Sequence, residues 1–231
     1  MSVRPPVVIS GVTKGIGRAL ALRFAELGHP VSGCGRSTGA VRELRGMLGS
    51  GHLVETVDVT DADAVSAWAR ATAAELGEPG LVIANAGAIH AQRPVWEVEP
   101  AVFAEVVRVN VEGVHAMAHA FLPLMFESGG MFVALSSGWG RNPRHHLAAY
   151  SAAKFAVEGY VGALAGELPE HVKAFAIAPH SAVDTEMLAT CLPGEHEQYP
   201  APDAWARSAV DHLLHRLPHE PSGNGLFFPA S

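Results

Sequence analysis

The sequence predicts an α/β fold in which a parallel sheet is covered by helices on both faces. Three observations lead there. Short apolar runs alternate with longer amphipathic stretches along most of the chain. The runs are continuously apolar rather than alternating, as expected of strands buried on both faces. The stretches between them are long enough to return the chain as helical crossovers, which makes neighbouring strands parallel.

Each element follows in order. Val7 to Ser10 reads as the first strand and Gly15 to Leu27 as its helix, stopped by Gly28. Val31 to Cys34 and Gly39 to Leu48 form the second pair, with Gly49 as the stop, and Leu53 to Val57 with Asp61 to Leu76 the third, with Gly77. After the fourth strand, Leu81 to Ala84, one long helix is expected from Pro100 to Phe126, ending before Gly129. Met131 to Leu135 is the fifth strand; Leu147 to Leu168, rich in alanine and closed by Pro169, is a helix; Val172 to Ile177 is the sixth strand. Beyond Pro179 the rhythm changes. Residues Ala182 to Pro200 hold a short helix and a Pro/Gly/His loop, Pro202 to Leu217 reads as a helix, and Leu226 to Phe228 as a last edge strand, about seven strands in all.

Composition bounds the function. A chain of 231 residues with 48% hydrophobic and 17% charged residues suits one compact α/β domain spanning 1–231. A net charge of -7 with only 16 Lys+Arg argues against a nucleic-acid partner, because phosphate contacts need clustered cations. No apolar run approaches the roughly 18 residues of a membrane span. The opening Met1-Ser2-Val3-Arg4-Pro5-Pro6 lacks a signal-peptide core, and two cysteines, Cys34 and Cys191, make no disulfide framework. The expected setting is the cytoplasm, with no membrane partner and no metal, since four-ligand spacing is absent from the histidines near His145, His146 and His180.

In such sheets, ligands sit at the carboxyl ends of the strands, so the loops there are the ones to read. Strand one ends in Ser10-Gly11-Val12-Thr13-Lys14-Gly15-Ile16-Gly17 and opens a helix, where free N–H groups and the positive helix end can meet a pyrophosphate. Tyr150 and Lys154 stand four positions apart on a predicted helix and share a face, so both can act on one substrate atom. Ser137 ends the fifth strand, thirteen positions before Tyr150, and Asn110 lies within the long fourth helix.

The GxxxGxG loop together with Ser137, Tyr150, Lys154 and Asn110 resembles the short-chain dehydrogenase/reductase family over nearly the whole chain. The resemblance implies a doubly wound Rossmann-type sheet, a nucleotide-binding half of about 1–90 and a catalytic and substrate half of about 91–231. It implies a nicotinamide cofactor held by Gly11, Thr13, Lys14, Gly15, Ile16 and Gly17; by Asp58 and Val59 after strand three; by Asn85, Ala86 and Gly87, where the family usually has NNAG; and by Tyr150, Lys154, Pro179, Val183 and Thr185. At the end of strand two, where Ser37 is a further cofactor-binding candidate, Gly35 replaces the acidic residue of NAD-preferring members, while Arg36 and Lys14 can receive a 2′-phosphate, so NADP(H) is the expected cofactor.

Reduction of a carbonyl builds negative charge on oxygen, so a proton donor and fixed dipoles are needed beside it. Tyr150 is the expected donor, and lowering a phenol from about 10 to near 7 takes about 4 kcal/mol of preferential phenolate stabilisation, for which the Lys154 ammonium has the right sign. The family further implies that Ser137 bonds the carbonyl oxygen, Lys154 the ribose, and Asn110 a relay water. A narrower likeness, carried by residues 28–34, 96–98, 136–141 and 184–191, is to plant-type NADPH-dependent pterin aldehyde reductases. Trp139 then offers a flat face to a fused ring, and His180 is a further candidate substrate contact. The usual Pro-Gly after strand six is replaced by Pro179-His180, with a loop one residue longer before Thr185, and a non-glycine there limits positive φ. The expectation is a carbonyl reductase, homodimeric or homotetrameric, with a pterin aldehyde as leading substrate. Another small aldehyde or ketone is the alternative, and an idle NADP-binding sensor or interaction protein the alternative of another class.

Overall fold

A computed structural model describes residues 4–228. Its seven strands are β1 (Val7–Ser10), β2 (Val31–Gly35), β3 (Leu53–Thr56), β4 (Leu81–Ala84), β5 (Gly130–Leu135), β6 (Val172–Ala178) and β7 (Gly225–Phe227). They form one sheet in the order β3-β2-β1-β4-β5-β6-β7, every pair parallel. The order reverses between β1 and β4, and the crevice beyond their carboxyl ends is where this topology places a ligand.

The helices are α1 (Gly15–Glu26), α2 (Thr38–Leu48), α3 (Ala62–Leu76), α4 (Pro100–Val107), α5 (Gly113–Phe121), α6 (Ala148–Ala165), α7 (Glu186–Cys191) and α8 (Pro202–His215). Successive strand residues point to opposite faces. Val7, Ile9, Leu81, Ile83, Phe175 and Ile177 therefore pack with α1, α2 and α8, whereas Val8, Val82, Phe132 and Ala174 pack with α3, α5 and α6. This double burial is why the strands read as unbroken apolar runs. Ser37 and Asp61 cap α2 and α3 by accepting from the N–H groups of Ala40 and Ala64. Gly49 and Gly77, the expected stops, close the same helices at φ 77° and 93°.

One element departs from expectation. The helix read as continuous from Pro100 to Phe126 is α4, a π-helical turn at Arg108–Glu112, α5, and a 3-10 turn at Leu122–Met125. The cause of the first break lies in Asn110, whose fully buried amide Nδ2 donates to Ala88 O at 2.7 Å and to Val106 O at 2.8 Å. A side chain that bonds the carbonyl four residues back competes with the helical ladder, and an inserted residue relieves the competition. The second break follows Pro123, which removes a backbone donor.

Candidate active site

The glycine loop between β1 and α1 is shaped by close packing. A Cβ on Gly17 would collide with Gly11 O and the Asn85 amide, and Gly11 (φ 72°) lies so near β4 that a Cβ there would stand 2.9 Å from Ala86 Cα. Ser10, which sequence reasoning passed over, makes this juncture. Its buried Oγ accepts from both Asn85 N and Ala86 N at 3.0 Å, and Asn85 Nδ2 donates to Ser10 O at 2.7 Å. The sequence signal was a serine ending a strand directly before the glycines. Asn85 thus holds the loop in place with its side chain while lining the cleft.

Gly35 answers to a further constraint: a Cβ there would stand 2.5 Å from the Thr13 methyl, so a longer side chain at this position requires Thr13 to move. The two cations expected beside it are present and exposed. Lys14 Nζ meets Glu186 Oε2 at 2.5 Å, reaching from the glycine loop to α7, and Arg36 Nη1 lies 4.0 Å from Asp58 Oδ2. For Asp58, burial favours the neutral acid, but hydrogen bonds from Thr60 N and Oγ1 and the guanidinium groups of Arg36 and Arg108 outweigh it, and the carboxyl is held below its usual value. Thr185 caps α7 by accepting from Leu188 N at 3.1 Å and faces Gly15 across the cleft, where an added Cβ would stand 3.3 Å from its methyl.

At the other end, Ser137 stands after β5 and starts a 3-10 turn, its Oγ accepting from Trp139 N at 3.2 Å. Tyr150 and Lys154 come from the first turns of α6, both buried, with Lys154 Nζ 5.6 Å from the Tyr150 ring centre and donating to Leu135 O at 2.7 Å. Burial raises the Tyr150 phenol to about 12, against the opposing effect of the Ser137 hydroxyl. Burial also lowers the Lys154 ammonium to about 8, with Glu158 acting in the opposite direction. In the free protein, desolvation therefore exceeds the help from the Ser137 hydroxyl. A phenol that keeps its proton is nevertheless suited to donate one.

A single cleft of about 820 Å³ brings these two ends together. It is lined by Gly11 and 13–17, by Arg36, Ser37, Asp58 and Val59, by 85–87, and by Ser137, Tyr150, Lys154, Pro179 and Thr185. Cys34, Asp184, Glu186 and Met187 also line it and were not foreseen. Four expected residues lie elsewhere. Val183 is buried in the layer shared by α1 and α8, so its side chain is a core residue. Trp139 packs in a T-shape with Tyr150, ring centres 6.1 Å apart, and does not line the cleft. His180 is exposed and meets Phe227 at 6.3 Å. Asn110 sits behind the wall, its Oδ1 without a hydrogen-bond partner among the described residues and 3.0 Å from where a Cβ on Gly87 would stand. The Pro179-His180 turn needs no glycine, since His146 alone among described non-glycine residues has positive φ. No group of three or more His, Cys, Asp or Glu that could hold a metal occurs among the described residues, and no helix there is long and apolar enough to cross a membrane.

Residues 6–195 match the family model described as short chain dehydrogenase. The chain is 39% identical over 211 residues to an NADPH-dependent pterin aldehyde reductase of Arabidopsis thaliana, covering 90% of this chain and 87% of that protein. Among solved structures, it resembles a 3-ketoacyl-(acyl-carrier-protein) reductase from Brucella melitensis complexed with NADH, with TM-score 0.88, 28% identity and coverage of 98% and 97%. It also resembles an alcohol dehydrogenase from the archaeon Thermococcus sibiricus complexed with 5-hydroxy-NADP, with TM-score 0.84, 27% identity and coverage of 97% and 95%.

Proposed function

Because the chain belongs to the short-chain dehydrogenase family and is an oxidoreductase of that kind, we propose that it is an NADPH-dependent carbonyl reductase with a pterin aldehyde as its leading substrate. The observation that carries this reading is the shared cleft: the glycine loop and the group Ser137, Tyr150 and Lys154 line one continuous space. The cradle fits a dinucleotide, since the loop has no side chain where Gly11 and Gly17 close on Asn85 and Gly15 faces Thr185. When bound, a reduced nicotinamide supplies the hydride.

The protein's own groups do the rest. Ser137 Oγ donates to the carbonyl oxygen and fixes it beside Tyr150. The Tyr150 hydroxyl, protonated because burial holds it at about 12, gives its proton to that oxygen as negative charge builds there. The Lys154 ammonium stabilises the resulting phenolate and has donors beyond the one used on Leu135 O for a ribose hydroxyl. Asn110 acts from behind, holding Ala88 O and presenting Oδ1 for a relay.

NADPH is favoured by Lys14 and Arg36 at the cleft, by the crowding that keeps position 35 free of a carboxylate, and by the cofactor named for the Arabidopsis relative. The two thiols, free and buried, suit a reducing cytoplasm. Apolar exposure of Val102 and Phe103 on α4 and Phe155 on α6, each 38–45%, supports a homodimer or homotetramer through these helices. The absence of Trp139 from the cleft lining favours a second reading, reduction of another small aldehyde or ketone, because the expected stacking residue packs in a T-shape with Tyr150. NADPH oxidation with a pterin 6-aldehyde beside simple aldehydes, ketones and quinones separates them. Preferential, Tyr150-dependent turnover of the pterin is the expected result. Turnover confined to other carbonyls discards the pterin, and NADPH binding without turnover on any carbonyl discards the reductase in favour of a sensor.

A further inference from the structure

Each of the two elements that carry the candidate catalytic group also carries, four residues later, one half of an ion pair. Arg141 follows Ser137 and Glu158 follows Lys154. The pair is bidentate, Arg141 Nε to Glu158 Oε1 at 3.1 Å and Nη2 to Oε2 at 3.2 Å, with side chains only 23% and 17% exposed. Parallel, partly desolvated contacts of this geometry are stronger and more directional than surface pairs. The guanidinium also bonds Ala176 O on β6 at 3.1 Å and Leu226 O on β7 at 3.0 Å, and lies 4.4 Å over the Phe227 ring. Behind it, Gly140 packs so tightly on Lys154 that a Cβ there would be 2.8 Å from Lys154 Cβ.

We propose that Arg141 and Glu158 are positioning residues: their pair, seated on the β6–β7 pairing, locks the Ser137 turn to the helix that bears Tyr150 and Lys154. This rests on the reductase reading of the cleft. The arginine spans a turn, a helix and two strands at once, and hydride transfer requires Ser137 and Tyr150 to stay aimed at one oxygen. Glu158 is also the carboxylate whose charge acts on Lys154. Gly225 is part of the device, since a Cβ there would stand 3.0 Å from Arg141 Nη2 and closer still to Glu158 Oε2.

The test compares wild type with Arg141→Met, Arg141→Lys, Glu158→Gln, the Arg141→Met/Glu158→Gln double variant and Gly225→Ala. Each is measured for kcat, for NADPH Kd by fluorescence, and for hydrogen exchange over 136–141 and 150–158. Misplacement by about 1 Å can cost about 10²-fold, so Arg141→Met and Glu158→Gln should lose about 10-fold or more in kcat, with NADPH Kd changed less than about 2-fold. The double variant should be no worse than the poorer single one. Arg141→Lys should recover part of the rate, Gly225→Ala should reproduce the loss from a third element, and exchange should rise in both segments together. Folded variants with unchanged kcat, additive losses, or NADPH affinity and kcat falling in parallel would overturn the proposal. Should wild type reduce no carbonyl, the reductase reading fails on its own, and exchange that rises in one segment only would still refute the lock.

Discussion

At the nucleotide end of the cleft the walls are backbone and glycine, and the charged side chains stand paired in solvent, Lys14 with Glu186 and Arg36 near Asp58. At the chemical end the walls are buried side chains, and burial has moved Tyr150 up and Lys154 down from their usual values. The difference teaches how each end is damaged. A site made of backbone is harmed by adding atoms, a site made of side chains by removing them.

The largest expected effect is therefore a removal. Tyr150→Phe deletes one oxygen and should lower kcat by roughly 10²–10⁴, with NADPH affinity nearly unchanged in a fluorescence titration. Retained kcat would show that the proton comes from elsewhere. The matching addition is Gly17→Ala, whose methyl meets Gly11 O and the Asn85 amide. Overpacking of this kind costs about 1–3 kcal/mol, to be seen as a lower melting temperature and weaker NADPH binding, while kcat at saturating cofactor stays within a fewfold.

The contrast also has a pH signature. Lys154 sits at about 8 in the free protein and Tyr150 at about 12, so between them only the lysine titrates in the accessible range. Lysine carries its charge below its pKa. The kcat/KM profile, which reports the free enzyme, should be flat below about pH 8 and fall by up to tenfold per unit above it. A limb near 10 would mean that burial does not govern Lys154. The smallest effect belongs to the exposed cations. Lys14→Ala or Arg36→Ala should weaken NADPH by about tenfold, the scale of one charge-assisted hydrogen bond, and leave NADH within about twofold. Each cation already has a carboxylate neighbour, so the net loss is trimmed by the 0.2–1 kcal/mol or so that such exposed pairs contribute.

The fold was legible where one pattern governs. Continuous apolar strands and glycine stops placed β1, β2, β4, β5 and β6, because double burial and positive φ leave their marks on single residues. The glycine loop, Tyr150 and Lys154 were legible from residue type and spacing and Ser137 from the family resemblance, and they line one cleft. What depends on where a side chain points was not legible. Trp139, His180 and Val183 were placed by sequence position, and packing against Tyr150, Phe227 and the α1–α8 layer sent them elsewhere. The broken helix at Asn110 was hidden for the same reason: its buried side chain bonds Val106 O, four residues back, and Ala88 O, on a segment 22 residues earlier.

The tie between Ser10 and Asn85 has a consequence for how the chain comes to fold. It joins residues 75 apart in sequence, and β1 has β2 and β4 as its two neighbours. Pairings of such sequence separation must overcome loop-closure entropy before any contact compensates, so they form late and slowly. Helices form on far shorter timescales. During refolding, far-ultraviolet circular dichroism should therefore recover ahead of the ability to bind NADPH, because the phosphate cradle does not exist until strand four has docked beside strand one.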